Sequence, residues 1–100
     1  MSHRCYNRLT IVGQKVDLKV FDRNTRWLAR LGAHHYPDLL ECSPTRHVWQ
    51  FESDKPPPER LKRLSTRYPL LTFLLDYDWA RRKGLVKARN GQITSHQVSY

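Results

Sequence analysis

Glycine is scarce in this chain. Four occur in 100 residues, and none falls in a GxxxxGK or GxGxxG spacing, so the usual backbone cradle for nucleotide phosphates is absent. Cysteine is scarcer still. Cys5 and Cys42 are the only two, whereas an iron–sulfur cluster needs about four thiolate ligands, and a redox ferredoxin is excluded. His3, His34, His35 and His47 add metal-donor types, but no pairing with the cysteines gives finger spacing on both arms, so no metal site is assigned. No apolar run approaches the ~20 residues of a membrane helix. Met1 to Arg8 carries two arginines with no apolar stretch behind them, which reads against a secretory signal. The expectation is a cytoplasmic protein, with Cys5 and Cys42 as thiols in or near the core and the histidines as surface or capping groups.

Acidic residues are few, nine against eighteen lysines and arginines. The two closely spaced carboxylate pairs, Asp76 with Asp78 and Glu52 with Asp54, share strand faces and are expected to bridge to arginines rather than to exchange protons. Nucleophilic catalysis needs a cysteine or serine beside a base that a third group holds, and no motif supplies one. A thiol-dependent enzyme would require a cysteine and a histidine within bonding reach. The reading is therefore non-enzymatic, with no catalytic residue, no cofactor and no small-molecule substrate.

What the chain does contain is a core and a charge. Its length suits one domain over residues 1–100, and 39% hydrophobic content with eleven aromatics is too much for a disordered tail. Arg8 to Gly13 alternates as a short strand closed by glycine. From Gln14 the period becomes helical, with Val16, Val20, Trp27, Leu28 and Leu31 recurring before Gly32; Asn24-Thr25 interrupts it, leaving two short helices with Thr25 capping the second as an alternative. Asp38 to Cys42 suggests a brief strand, Ser43-Pro44-Thr45 a turn, and Arg46 to Ser53 a half-buried strand with Trp49 and Phe51 under the helices. Pro56-Pro57-Pro58 leads into a helix on which Leu61, Leu64 and Tyr68 form the apolar stripe, and Pro69 ends it. Leu71 to Tyr77 reads as a strand central in the sheet or covered on both sides, and Trp79 to Lys83 as a basic loop. Gly84 to Arg89, Asn90-Gly91 and Gln92 to Ser95 form a hairpin. The order predicts an α+β domain of ferredoxin-like type, a β-α-β-β-α-β core with two helices on one face of an antiparallel sheet and a C-terminal hairpin. An open sheet edge beside that hairpin is where a second copy would pair.

Three stretches resemble the YubB-type ferredoxin-like domain family, small uncharacterised proteins of plasmids, phages and bacteria. They are Cys5-x-Asn7-Arg8-Leu9-Thr10 with Val12-Gly13; Pro56-Pro57-Pro58, Leu61, Leu64 and Arg67-Tyr68-Pro69-x-Leu71-Thr72-Phe73 with Tyr77; and Gly84 with Asn90-Gly91. The resemblance implies a ferredoxin-like fold without a cluster, and it brings no catalytic residue. In this chain the opening pair is His3-Arg4 where relatives often have tryptophan, and the loop after Tyr77 is basic.

Function is ranked by the charge of +9 at neutral pH, twelve of its cations being arginine, the residue that forks onto phosphate. Polyanions are the first partner such a charge suggests. The contact set expected is Arg60, Arg63 and Arg67 on the proline-led helix and Trp79, Arg81, Arg82, Lys83, Lys87 and Arg89 in the hairpin, with the indole of Trp79 offered for base stacking. The RNP pattern of RNA-binding sheets is missing. The principal reading is a basic accessory protein on nucleic-acid phosphates. The alternative is a protein-interaction module or inhibitor from a phage or plasmid that docks its basic face on an acidic host protein or nucleoprotein complex.

Overall fold

Period-two burial builds the sheet. The computed structural model describes residues 4–23 and 26–99. In β1 (Cys5–Val12) the residues Cys5, Asn7, Leu9 and Ile11 are buried while Tyr6, Arg8 and Val12 are exposed, as a strand with one covered face must be. The same alternation buries Phe51 and Ser53 of β3 (Arg46–Ser53), Phe73, Leu75 and Tyr77 of β4 (Thr72–Trp79), and Gly84, Val86 and Ala88 of β5 (Arg82–Arg89). With β2 (His34–Ser43) and β6 (Gln92–Ser99), these form one six-stranded antiparallel sheet in the order β2-β3-β1-β4-β5-β6. β4 is thus central and not covered on both sides: Asp76 is exposed on its outer face.

Three helices, where two were expected, cover the inner face: α1 (Lys15–Asp22), α2 (Arg26–Arg30) and α3 (Pro58–Arg67). The alternative of a divided first helix is the observed one; Thr25, its expected cap, lies outside the described residues, as does His3. Leu18 and Phe21 bury the face of α1, whereas Val16 and Val20 are exposed, because a helix of only two turns presents one narrow stripe and its i, i+3 pair Leu18 and Phe21 occupies it. Phe21 joins the layers. Its ring centroid lies 4.8 Å from Trp27, 4.9 Å from Tyr68 and 5.7 Å from Phe73, two of these edge-on, the arrangement aromatic quadrupoles favour. Trp49 meets Trp27 edge-on at 5.6 Å, so the aromatics of β3 do pack beneath the helices. In α3, Pro58 stands at the start and Glu59 in the first turn, Leu61 and Leu64 face the core, and Tyr68 leaves the helical conformation just before Pro69.

β2 is longer than expected and irregular, with register shifts between His34 and Asp38 and again between Leu39 and Glu41. Bulges of this kind hide a strand from period-two reading. The loop expected at Trp79 to Lys83 shrinks to the two residues Ala80 and Arg81, both in the left-handed region at φ 50° and 64°, so Arg82 and Lys83 belong to β5. The Asn90-Gly91 turn stands as expected, with φ of 48° and 78°. No helix among the described residues is long and apolar enough to cross a membrane.

Candidate nucleic-acid interface

Helix geometry gathers the first three arginines. At ~100° per residue, Arg60, Arg63 and Arg67 fall within an arc of about 60°, alongside the buried stripe of Leu61 and Leu64. Arg30, the last residue of α2, completes the group. The four arginines and Leu64 line one groove of about 250 Å³ between α2 and α3. The Arg60 guanidinium lies over Gly32, where a Cβ would come within 2.8 Å of Nη1. None of the four makes an ion pair among the described residues, although like charges at i, i+4, as in Arg63 and Arg67, repel by a few tenths of a kcal/mol. Arg30 was not legible from sequence, since nothing local links it to a helix thirty positions later.

The hairpin residues do not join that group. Because Gly84, Val86 and Ala88 face the helices, Lys83, Lys87 and Arg89 project from the opposite side of the sheet. Lys87 and Arg89 line a separate shallow groove of about 470 Å³ with Asn90, Gln92 and Thr94, and Arg89 donates to Thr72 Oγ1 at 3.2 Å. Arg81 and Arg82 stand at the other end of β5, about 23 Å from Arg89 at strand rise. Trp79 is partly buried against the core and is no open stacking platform. The nine residues therefore form no single surface: strand alternation and strand length divide them.

The outer sheet face is of mixed charge. A trough of about 510 Å³ centres on Tyr6, 59% exposed, with Glu52 and Asp78 opposite it on either neighbouring strand and Arg8, Asp76 and Lys83 beside it. Carboxylates so placed oppose a phosphate backbone there. Glu52 pairs with Arg4 at 3.2 Å and Asp54 with His34 at 2.9 Å, in line with the bridging role expected of these acids for Glu52, while Asp54 takes a histidine in place of an arginine.

Two expectations about thiols and histidines are corrected. Cys5 is fully buried, donates to Asn7 Oδ1 at 3.4 Å, and burial pushes its thiol up to about 11. Cys42, however, is exposed, and its Sγ lies 3.6 Å from Nε2 of His47, a histidine only 5% exposed rather than a surface group. No group of three potential metal ligands occurs among the described residues. No family model matches the chain, and no curated protein or solved structure matches it either.

Proposed function

We propose that this protein is a basic, non-enzymatic binding module that contacts nucleic-acid phosphates through the arginine groove between α2 and α3. One observation carries the reading: Arg30, Arg60, Arg63 and Arg67 share a groove without a carboxylate partner among the described residues, so their mutual repulsion is relieved when an anion enters. Arginine forks suit phosphate oxygens geometrically as well as electrostatically. Phosphate contacts of this kind give affinity and little sequence preference. The hairpin cations of the outer face form a second, separate basic patch and are not part of this groove. The ferredoxin-like reading of the fold belongs to the same proposal. It is supported by the succession β2-β3-β1-β4, with helices following β1 and β3 and β5 and β6 as an extension, which is also the arrangement implied by the YubB-type resemblance.

Fluorescence anisotropy of labelled single-stranded DNA, duplex DNA and RNA, titrated at low and at physiological salt, tests it. The expected result is affinity that falls steeply with salt, with a slope reduced by about one on removal of each phosphate contact. Arg63→Glu should weaken binding by about tenfold or more, while Lys87→Glu, on the opposite face, changes it far less. Absence of binding at low salt overturns the reading and directs the search to an acidic protein partner by pull-down.

A further inference from the structure

Cys42 and His47 face each other across the hairpin of β2 and β3, in direct register. Directly opposed residues have Cβ atoms about 5 Å apart, which brings Sγ to 3.6 Å from Nε2. The other ring nitrogen, Nδ1, points toward the end of α1, where Asp22 Oδ1 lies 3.1 Å away. The carboxylate is within reach of Nδ1 but does not form an aligned hydrogen bond with it. A thiol, a base and a group that holds the base therefore stand in sequence, the arrangement that activates a sulfur nucleophile. Few other charges bear on it. Ile11 is the β1 residue paired with His47; Lys19 and Arg23, beside Asp22, are exposed. Arg46 and Glu41 pair with each other at 3.3 Å, and as strand neighbours of His47 and Cys42 they project to the other face. His47 is buried, whereas Cys42 is an exposed residue, so a reagent approaches from the Cys42 side while the base stays out of water.

We propose that Cys42 is a reactive thiol that captures low-molecular-weight disulfides by thiol–disulfide exchange, with His47 as its base and Asp22 as a positioning residue. As His47 Nε2 accepts the Sγ proton, the sulfur attacks one sulfur of the reagent. The Cys42 S–S bond forms, the reagent's own S–S bond breaks, and the departing thiolate takes its electron pair away and recovers a proton from the imidazolium. The disulfide is the oxidant, and one equivalent of thiol leaves. Cys5 cannot resolve the product. It lies six residues along β1 from Ile11, about 20 Å at strand rise, and is buried. The mixed disulfide thus persists until an external thiol removes it.

The test is the reaction of the intact protein with 5,5′-dithiobis(2-nitrobenzoic acid), followed by released thiolate and by mass spectrometry across about pH 5.5 to 9, a range spanning ordinary histidine and thiol titration. Wild type is expected to release one equivalent, from Cys42, at least about tenfold faster at mildly acid pH than a free small thiol does. His47→Gln should lose most of that advantage, and Asp22→Asn, at an exposed helix end and so tolerable to the fold, should lower the rate severalfold and move the pH–rate profile toward that of a free thiol. Cys42→Ser should abolish the fast release. The proposal is overturned if wild type reacts no faster than the free thiol at mildly acid pH, if Asp22→Asn matches wild type in rate and profile, or if the label is found on Cys5.

Discussion

The thiol of Cys5 shows how one buried atom sets a pH limit. Burial is the main cause of its rise from 9.0 to about 11, with the charge of Asp78 adding to it and side-chain hydrogen bonding with Ser53 and Asn7 opposing it. The folded protein therefore holds this proton more tightly than the unfolded chain does. The resulting stabilisation is fully present below pH 9 and is lost as pH rises through the folded value. We expect the denaturant midpoint of wild type to fall between about pH 9 and 11 more steeply than that of Cys5→Ala, by an amount approaching 2–3 kcal/mol; parallel curves would refute it. Gly84 meets a different demand. A Cβ there would overlap the Tyr77 ring, whose hydroxyl accepts a bond from Gln97 Nε2 at 3.2 Å. Gly84→Ala should cost about 1–3 kcal/mol by overpacking, read as a lower midpoint in urea. Arg81 carries the opposite opportunity, since a non-glycine residue at φ 64° is strained by about 1–2 kcal/mol. Arg81→Gly should raise the melting temperature, and no rise would show that the turn is relaxed by other means.

Among the elements, α3 and the final hairpin were the most legible. The proline entry, the stripe of Leu61 and Leu64 and the stop at Pro69 are local signals, and so is Asn90-Gly91. The link between these two elements was not legible, because it is a tertiary contact. Ser65 Oγ, fully buried, accepts the Gly91 N–H at 3.0 Å and donates to the Lys62 carbonyl at 2.7 Å. Ser65→Ala leaves that N–H without its acceptor and should cost about 1–2 kcal/mol, with faster amide exchange confined to the turn and β6. The irregular β2 and the early end of α1 escaped the sequence for a related reason: bulges and short helices are set by what packs against them, not by their own periodicity. The arginine set illustrates the same limit. Helical spacing placed Arg60, Arg63 and Arg67 together, but only the chain path adds Arg30, and only the direction of β5's buried side chains removes Lys87 and Arg89.

At the scale of the molecule, charge is layered. Arg26, Arg30, Arg60, Lys62, Arg63 and Arg67 stand on α2 and α3 against Glu59 alone, while Asp38, Glu41, Glu52, Asp76 and Asp78, five of the nine acidic residues, stand on the strands. The strands also hold Arg8, Arg46, Arg82, Lys83, Lys87 and Arg89, which nearly balance those acids, so the excess positive charge of the regular elements lies mostly on α2 and α3. Binding to a polyanion should slow amide exchange around the groove of α2 and α3 and leave the centre of β1 unchanged; protection centred on Tyr6 would place the contact on the wrong layer. The outer strands are finished differently. β2 carries Pro37, Asp38, Glu41 and its register shifts, whereas β6 runs in unbroken register along β5 with no charged side chain, and so lacks the usual guards of an exposed edge.

The position of β1 has one more consequence. It is the first of the described strands, yet it lies between β3 and β4, and its bonds to β4 join Val12 to Thr72 and Tyr6 to Asp78, partners sixty or more positions apart. On a ribosome, β1 emerges before either neighbour exists, and its buried side chains Leu9 and Ile11 have no strand to pair with until β3 has been made. Local pairs such as β5 with β6 need only a turn to form. The centre of this sheet thus closes only when β4 arrives, well after β1 and β3 are both in place.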